Sequence, residues 1–179
     1  MAKSTWPTYS DVSTYFSEVG INLPSSGSVT DYVSEVVGLW NSAVGFTFLS
    51  DGSSGVTYYD SPQLGTLQIP YHSSISNVSV NGTNLTLNTD YWIRNSREII
   101  FNSHYSWKPN AVAVTGVLGY TTIPVEVWKA VMSLVAWKVI YANPQRNFQK
   151  LKQKFTEITF NDPKGSDDDF YRLAKSYRY

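Results

Sequence analysis

The hydrophobic pattern changes its period along the chain, and this change constrains the fold more than any other feature of the sequence. Towards both ends, apolar residues recur every three to four positions, the period of a helix with one buried face. Between residues 56 and 120 they alternate or form short runs bounded by Gly, Asn and Asp, which is typical of strands. The pattern therefore predicts an α+β fold: a small helical bundle with an inserted antiparallel β subdomain.

The first two helices are predicted at 8–19 and 29–45 from their start signals. Thr8 has the spacing of an N-cap residue with Asp11 as its partner acid, and Ser28 is the predicted cap of the second helix. Gly38 lies inside the second helix. It either costs that helix about 1 kcal/mol relative to alanine or marks a close crossing of two helices.

The third helix is predicted at 123–142, with Thr122 as its cap and Pro124 in its first turn. Its apolar residues cover nearly all of its sides, so we expect other parts of the protein to surround it. Four residues of the second and third helices are predicted to be buried: Val36, Trp40, Val131 and Val135.

The β insert, residues 56–120, contains a strong hairpin signal. Asn81-Gly82 supplies the two positive φ angles of a type I′ turn between short runs rich in valine, leucine and threonine. Strands are predicted at 56–59, 66–69, 78–80, 83–85, 91–93, 98–101 and 111–120.

Residues 143–179 are predicted to form a C-terminal extension of the 1–142 core, with an extended tail that ends in a short helix. Residues 146–154 carry a basic run, and Thr156–Phe160 alternates like a strand. Ser166 is the predicted cap of the short helix, and residues 161–165 are predicted to act as a hinge before it. The aromatic residues of this helix predict that it packs either on its own bundle or on another chain.

Composition argues against several classes of function. The 179 residues include no cysteine and two histidines, His72 and His104, neither of which belongs to a metal-binding pattern. No phosphate-binding loop or nucleophile-elbow motif occurs, so we predict no catalytic, cofactor or metal site and no enzymatic activity. The sequence lacks a signal peptide and an apolar run long enough to span a membrane, so we expect a protein made in the cytoplasm with no membrane partner.

Charge and tryptophan content leave alternatives open. The formal charge is −4 up to Thr122 and +4 from Ile123 onward, a polarity that suits head-to-tail contacts between copies. Among the six tryptophans, Trp40, Trp128 and Trp137 lie on helical apolar stripes and are predicted to pack in the core. Trp92 and Trp107 lie in the β region, where stacking on a sugar is an alternative, so a carbohydrate- or cell-wall-binding module remains a second hypothesis.

Several short motifs follow one another in a specific order. They are the hairpin Val78–Gly82, Asp90-Tyr91, Ile99–Phe101, the strand Val112–Tyr120 and the junction Ile123-Pro124, followed near the C-terminus by Leu173 and the pair Tyr177-Arg178. In this order they resemble the head–tail connector, or adaptor, family of tailed phages. Residues 143–165 depart from the family pattern because they are longer and more basic.

The resemblance implies a non-enzymatic structural protein of the virion, assembled in the host cytoplasm. It implies a ring of neighbouring adaptor subunits, usually twelve, that docks on the portal protein ring, extends the DNA channel and receives a stopper or tail protein. The implied portal-binding residues lie in the last helix: Phe170, Tyr171, Leu173, Tyr177, Arg178 and Tyr179. Weak, non-specific contacts to channel DNA are expected from Lys150, Lys152 and Lys154.

Overall fold

The chain has an α+β fold, as the hydrophobic pattern predicts. The computed structural model describes residues 2–17, 23–62, 65–141 and 163–178, with the backbone alone at 141 and 163–167. These residues form two compact units: a helical unit from Met1–Val44 and Thr122–Arg178, and a β unit from Gly45–Thr121. Because the β unit is inserted between the second and third helices, the helical unit is built from two separate stretches of the chain.

The helical unit contains α1 (Tyr9–Ser17), α2 (Ser26–Val44), α3 (Val125–Tyr141) and α4 (Pro163–Tyr177). Helix α2 packs against α1, α3 and α4, and α3 also packs against α4. Four predicted core residues are confirmed as fully buried, namely Val36, Trp40, Val131 and Val135. No residue from 130 to 140 is exposed, which confirms that the greater part of α3 is surrounded by protein.

Helix α1 begins where the sequence predicts. Asp11 Oδ2 accepts a hydrogen bond from the Thr8 backbone N–H at 2.8 Å, and Thr8 Oγ1 accepts one from the Asp11 N–H at 3.3 Å. This reciprocal pair satisfies two N–H groups that the first helical turn leaves without partners. The hydrogen bond from the Thr8 side chain is the main reason that the pKa of Asp11 is lowered.

Helix α2 begins earlier than predicted, and Ser28 is not its cap. The helix begins at Ser26, and Ser25 accepts the Ser28 N–H through its Oγ and the Val29 N–H through its carbonyl oxygen. Three nearby serines are all competent caps, so the sequence alone does not decide between them.

The starts of α3 and α4 also differ from their predictions. Helix α3 begins at Val125, so Pro124 directly precedes it and Thr122 is not the cap. Helix α4 begins at Pro163, which places Ser166 inside the helix and makes residues 163–165 helical instead of part of a hinge. Proline is well suited to the first position of a helix because its φ is already helical and its missing N–H would have had no partner.

Of the two roles that the sequence allows for Gly38, the structure excludes a close helix crossing. No atom outside the local helix lies within 4 Å of the position that a Cβ at Gly38 would occupy. We therefore expect Gly38→Ala to raise the free energy of unfolding by about 0.5–1 kcal/mol, because glycine loses more conformational freedom on folding. Chemical denaturation followed by circular dichroism measures this gain, and a loss of stability in the variant would contradict it.

The β unit contains two antiparallel sheets that share one core. Strands β1 (Gly55–Tyr59), β7 (Val112–Leu118), β3 (His72–Val80) and β4 (Thr83–Asn84) form the first sheet in the order β1-β7-β3-β4. Strands β2 (Thr66–Gln68), β6 (Glu98–Phe101) and β5 (Tyr91–Arg94) form the second in the order β2-β6-β5. One hydrophobic cluster combines side chains from both sheets: Ile69, Val78, Val80, Tyr91, Ile99, Phe101, Val112 and Val114.

Candidate assembly surfaces

The hairpin motif of the β unit is confirmed in the geometry of its turn. Asn81 and Gly82 have φ angles of 52° and 80°, the positive values that a type I′ turn requires. The Asn81 N–H donates to the Ala111 carbonyl at 2.8 Å, which ties the turn to the residue before β7. The motif therefore specifies a turn in the fold and places no reactive side chain.

The glycines of the Val112–Tyr120 motif stand where the backbone permits no side chain. A Cβ at Gly116 would lie 2.3 Å from the Ser74 carbonyl oxygen on β3. Gly119 has a φ of +92°, and its Cβ would lie 2.6 Å from the Thr47 carbonyl oxygen. Both glycines thus allow two stretches of backbone to approach closely.

Tyr120, the last residue of this motif, lies in a stack of aromatic rings. Its ring centroid is 3.9 Å from that of Tyr71 at an interplanar angle of 4°, and 4.5 Å from that of Phe48 at 21°. Arg97 donates a hydrogen bond to the Tyr120 hydroxyl. The stack joins the chain entering the β unit, the start of β3 and the end of β7, so the motif stabilises the fold at this point.

His72, the residue after Tyr71, is buried, and its Nδ1–H donates to the Pro70 carbonyl oxygen at 2.7 Å. Burial lowers the pKa of His72 below its ordinary 6.5, because desolvation disfavours the imidazolium. The unfolded chain therefore takes up this proton first as the pH falls. The stability that neutral His72 contributes is present above about pH 6.5 and is lost as the pH falls from there towards the folded-state pKa.

We expect the free energy of unfolding to fall in this window by at most about 1.4 kcal/mol per pH unit, the value for one proton. Denaturation series across the window should show this slope in the wild type and in His104→Gln, where the replaced histidine is exposed. The slope should be absent in His72→Gln. An unchanged slope in His72→Gln would show that another group causes it.

The implied portal-binding residues of α4 divide between two faces of the helix. Phe170 is only 2% exposed and meets Trp40 edge to face, with ring centroids 5.2 Å apart. Ala174 is fully buried, and the Tyr177 hydroxyl donates to Glu126 Oε1 at 2.7 Å. The helix thus folds back on its own bundle, the first of the two arrangements that its sequence allows.

The opposite face of α4 is accessible. Tyr171 is 40% exposed, Arg172 and Lys175 are exposed as well, and so is Arg178, which directly follows the last residue of the helix. Leu173 is half-buried, while Tyr179 lies outside the described residues. Phe170 cannot also anchor a partner without leaving its own core.

The contact between Tyr177 and Glu126 fixes the C-terminal end of α4 against the first turn of α3. The hydrogen bond from the Tyr177 hydroxyl is the main reason that the pKa of Glu126 is lowered. It stabilises the carboxylate form, so the contact weakens as the pH falls through the lowered pKa.

The outer face of β1 exposes two large side chains. The sequence predicts the strand but does not show that this face is exposed. Val56 is 52% exposed and Tyr58 is 62% exposed. They share this face because side chains two positions apart on a strand point the same way. On the second sheet Trp92 is 40% exposed, and Trp107 in the loop before β7 is 58% exposed. In the helical unit, Trp128 is half-buried, and Lys3 Nζ lies over its ring, 4.8 Å from the ring centroid.

The described residues were also searched for a metal site and a membrane-spanning helix. Within the described part of the chain no three His, Cys, Asp or Glu residues cluster as metal ligands would. No helix among these residues is long and apolar enough to cross a membrane. Lys150, Lys152 and Lys154, the expected DNA contacts, lie outside the described residues.

Comparisons with known proteins give partial structural likenesses. One solved structure, titled "Virion of native gene transfer agent (GTA) particle", matches with a TM-score of 0.46 and 14% identity over 64% of this chain. The match spans 66% of that chain, just under two thirds of its length. A second, titled "Neck of empty GTA particle computed with C6 symmetry", has a TM-score of 0.47 and 12% identity, covering 82% of this chain and 86% of that one. No protein-family model matches the sequence. No curated protein matches it either.

Proposed function

We propose that this protein is a structural subunit of a phage-like virion: an adaptor that forms a ring on the portal and extends the DNA channel towards a stopper or tail protein. The observation that carries the proposal is the ordered series of adaptor-like motifs, from the Asn81-Gly82 hairpin to the Ile123-Pro124 junction. Each motif coincides with a turn, a close backbone approach or an element boundary. Such motifs specify a scaffold, and the protein is proposed to act as one.

We further propose that the accessible face of α4 docks on the portal. Tyr171 and Arg178 are its candidate anchors, since aromatic and arginine side chains at interfaces can each contribute 2 kcal/mol or more. Phe170 and Tyr177 contribute indirectly by holding α4 against α2 and α3. Removing the whole helix would take Phe170 and Ala174 out of the core, so surface substitutions separate docking from folding better than a truncation does.

The test is co-purification with the portal protein encoded in the same genome. We expect Tyr171→Ser combined with Arg178→Ala to keep the wild-type melting temperature and to weaken portal binding by a factor of about 30 or more. Tyr9→Ser is the matched control, because Tyr9 on α1 is 39% exposed against 40% for Tyr171. Unchanged portal binding by the double variant would refute docking through this face, and no portal binding by the wild type would refute the adaptor function.

The proposed DNA contact has its own measurement. Phosphate-only binding by Lys150, Lys152 and Lys154 should weaken steeply with added salt and show no preference between sequences. Replacing all three lysines with alanine should reduce the dependence on salt. Binding that survives high salt would contradict a phosphate-only contact.

A carbohydrate-binding module remains the second candidate, and the exposure of Trp92 and Trp107 is the observation that favours it. Binding of the purified protein to cell-wall glycans, lost in Trp92→Ala or Trp107→Ala, would support it. Portal binding that both variants retain would favour the adaptor.

A further inference from the structure

Strand β1 has an open edge without the features that usually prevent edge-to-edge pairing. It pairs with β7 along all five of its residues, and among the described strands it has no neighbour on its other side. Its sequence, Gly-Val-Thr-Tyr-Tyr, contains no charge and no proline. Natural proteins commonly protect such an edge with lysine, proline or a bulge. An unprotected edge therefore indicates a strand that another segment covers.

The outer face of this sheet is also suited to being covered. The pairing register places Val56 beside Thr115 and Asn77, and Tyr58 beside Ala113 and Ser79. None of these residues is charged, and the two large side chains among them are more than half exposed. The face therefore offers neutral surface along the edge of β1 that no described strand pairs.

The chain contains a segment with the length and pattern to cover this edge. Helices α3 and α4 pack against each other, yet residues 142–162 connect them. Connections between neighbouring helices usually need about two to eight residues, so this one is far longer than the packing requires. Within it, Thr-Glu-Ile-Thr-Phe at 156–160 has the alternation of a strand and follows directly on Phe155, although these residues lie outside the described part of the chain.

We propose that the open edge of β1 accepts residues 155–160 of a second copy as an added antiparallel strand. Main-chain hydrogen bonds supply affinity in this mode of recognition, and alternate side chains supply specificity. In such an added strand Ile158 and Phe160, two positions apart, would share one face, and the proposal places this face beside that of Val56 and Tyr58. The inference rests on the proposed adaptor ring, because donation from each copy to the next is a heterologous contact that can close into a ring.

Charge favours the antiparallel direction. Lys154 directly precedes the donated segment, and exposed Asp60 directly follows β1, with its Oδ1 held by the Asn110 N–H at 2.9 Å. Antiparallel pairing brings the basic start of the segment to the Asp60 end of β1. Parallel pairing would instead bring Lys154 to uncharged Ser54.

The absence of native cysteine makes a cross-linking test clean. Tyr58→Cys in one tagged copy is mixed with Thr156→Cys, Ile158→Cys or Phe160→Cys in a copy that carries a different tag, and the mixture is oxidised. Paired residues in antiparallel strands lie about 4.5–5.5 Å apart at Cα, within the range that a disulfide spans. We expect at least one pair to give a disulfide-linked dimer with both tags in much higher yield than the controls.

Two controls show whether cross-linking depends on the proposed strand pairing or only on an accessible cysteine. Glu157→Cys lies between the tested positions but on the other face of the added strand, and Tyr9→Cys offers an equally accessible cysteine on α1. Yields no higher than these controls at the highest soluble concentration would overturn the proposal. So would a Tyr58→Cys/Ile158→Cys double variant that cross-links only within one chain, because β1 would then be covered by the chain's own segment.

The outcome is separable from that of the proposed function. Portal binding without the cross-link would refute strand donation and leave the adaptor function standing. The cross-link without portal binding would support strand donation and refute the portal-binding adaptor.

Discussion

We expect Trp40→Ala to lower the free energy of unfolding of the helical unit by about 3–5 kcal/mol, the usual cost of removing a large buried aromatic side chain. Trp40 is fully buried, and its ring lies 5.2 Å from that of Phe170 and 6.1 Å from that of Tyr177. Its removal opens a cavity between α2 and α4 and removes the aromatic contacts that Phe170 and Tyr177 of α4 make with α2. Denaturation followed by far-ultraviolet circular dichroism measures the loss.

Two further variants show whether the contact with α4 causes this loss. Tyr171→Ala on the exposed face of α4 should change stability by less than about 0.5 kcal/mol. Phe170→Ala should cost about as much as Trp40→Ala, while the double variant should cost less than the sum because both residues fill one contact. A loss below about 1 kcal/mol in Trp40→Ala would show that α4 packs elsewhere in solution.

The second large effect is expected at Gly119. We predict that Gly119→Val lowers the free energy of unfolding by about 2–6 kcal/mol, combining the strain of a positive φ with the clash of an added side chain. The added Cβ would meet the carbonyl oxygens of Thr47 at 2.6 Å and Phe48 at 2.8 Å. Both atoms belong to the backbone that positions Phe48 against Tyr120, so neither can rotate away.

Gly55→Val is the matched control for this substitution. Gly55 is exposed at the start of β1, has no atom within 4 Å of its missing Cβ and does not have a positive φ. We expect that variant to change stability by less than about 0.5 kcal/mol. Similar losses in the two variants would show that β-branching, and not the backbone geometry at Gly119, is responsible.

Helix α4 is already packed on its own bundle, and this limits which of its residues are available to a partner. The aromatic residues of this helix fit two roles in the sequence, a bundle helix or an anchor for another chain. In the structure Phe170 and Tyr177 pack on the helical bundle, whereas Tyr171 and Arg178 are accessible. A portal that docks as proposed would therefore meet a preformed helical surface and would not need to supply the free energy that orders the helix.

The sequence predicts a structural feature correctly where the residues that determine it are neighbours in the chain. The Thr8–Asp11 cap, the Asn81-Gly82 turn and strand β6 agree with the sequence because turn and cap preferences act within a few residues. The sequence contains no clear turn signal for the hairpin between β5 and β6. Its turn residues Asn95 and Ser96 have φ angles of 52° and 56°, although serine seldom takes such values and so gives no signal.

Contacts between distant residues decided the rest. Strand β3 extends back to His72, before its predicted start at Val78, because its serine-rich first half is held by its register with β7. The sequence determined that residues 56–59 form a strand and that the last helix carries aromatic residues that pack on another surface, since the first follows from local periodicity and the second from composition. Only the tertiary structure decided that β1 is an edge among the described strands and that Phe170 of α4 packs on Trp40, because sheet order and helix packing depend on residues far away in the chain.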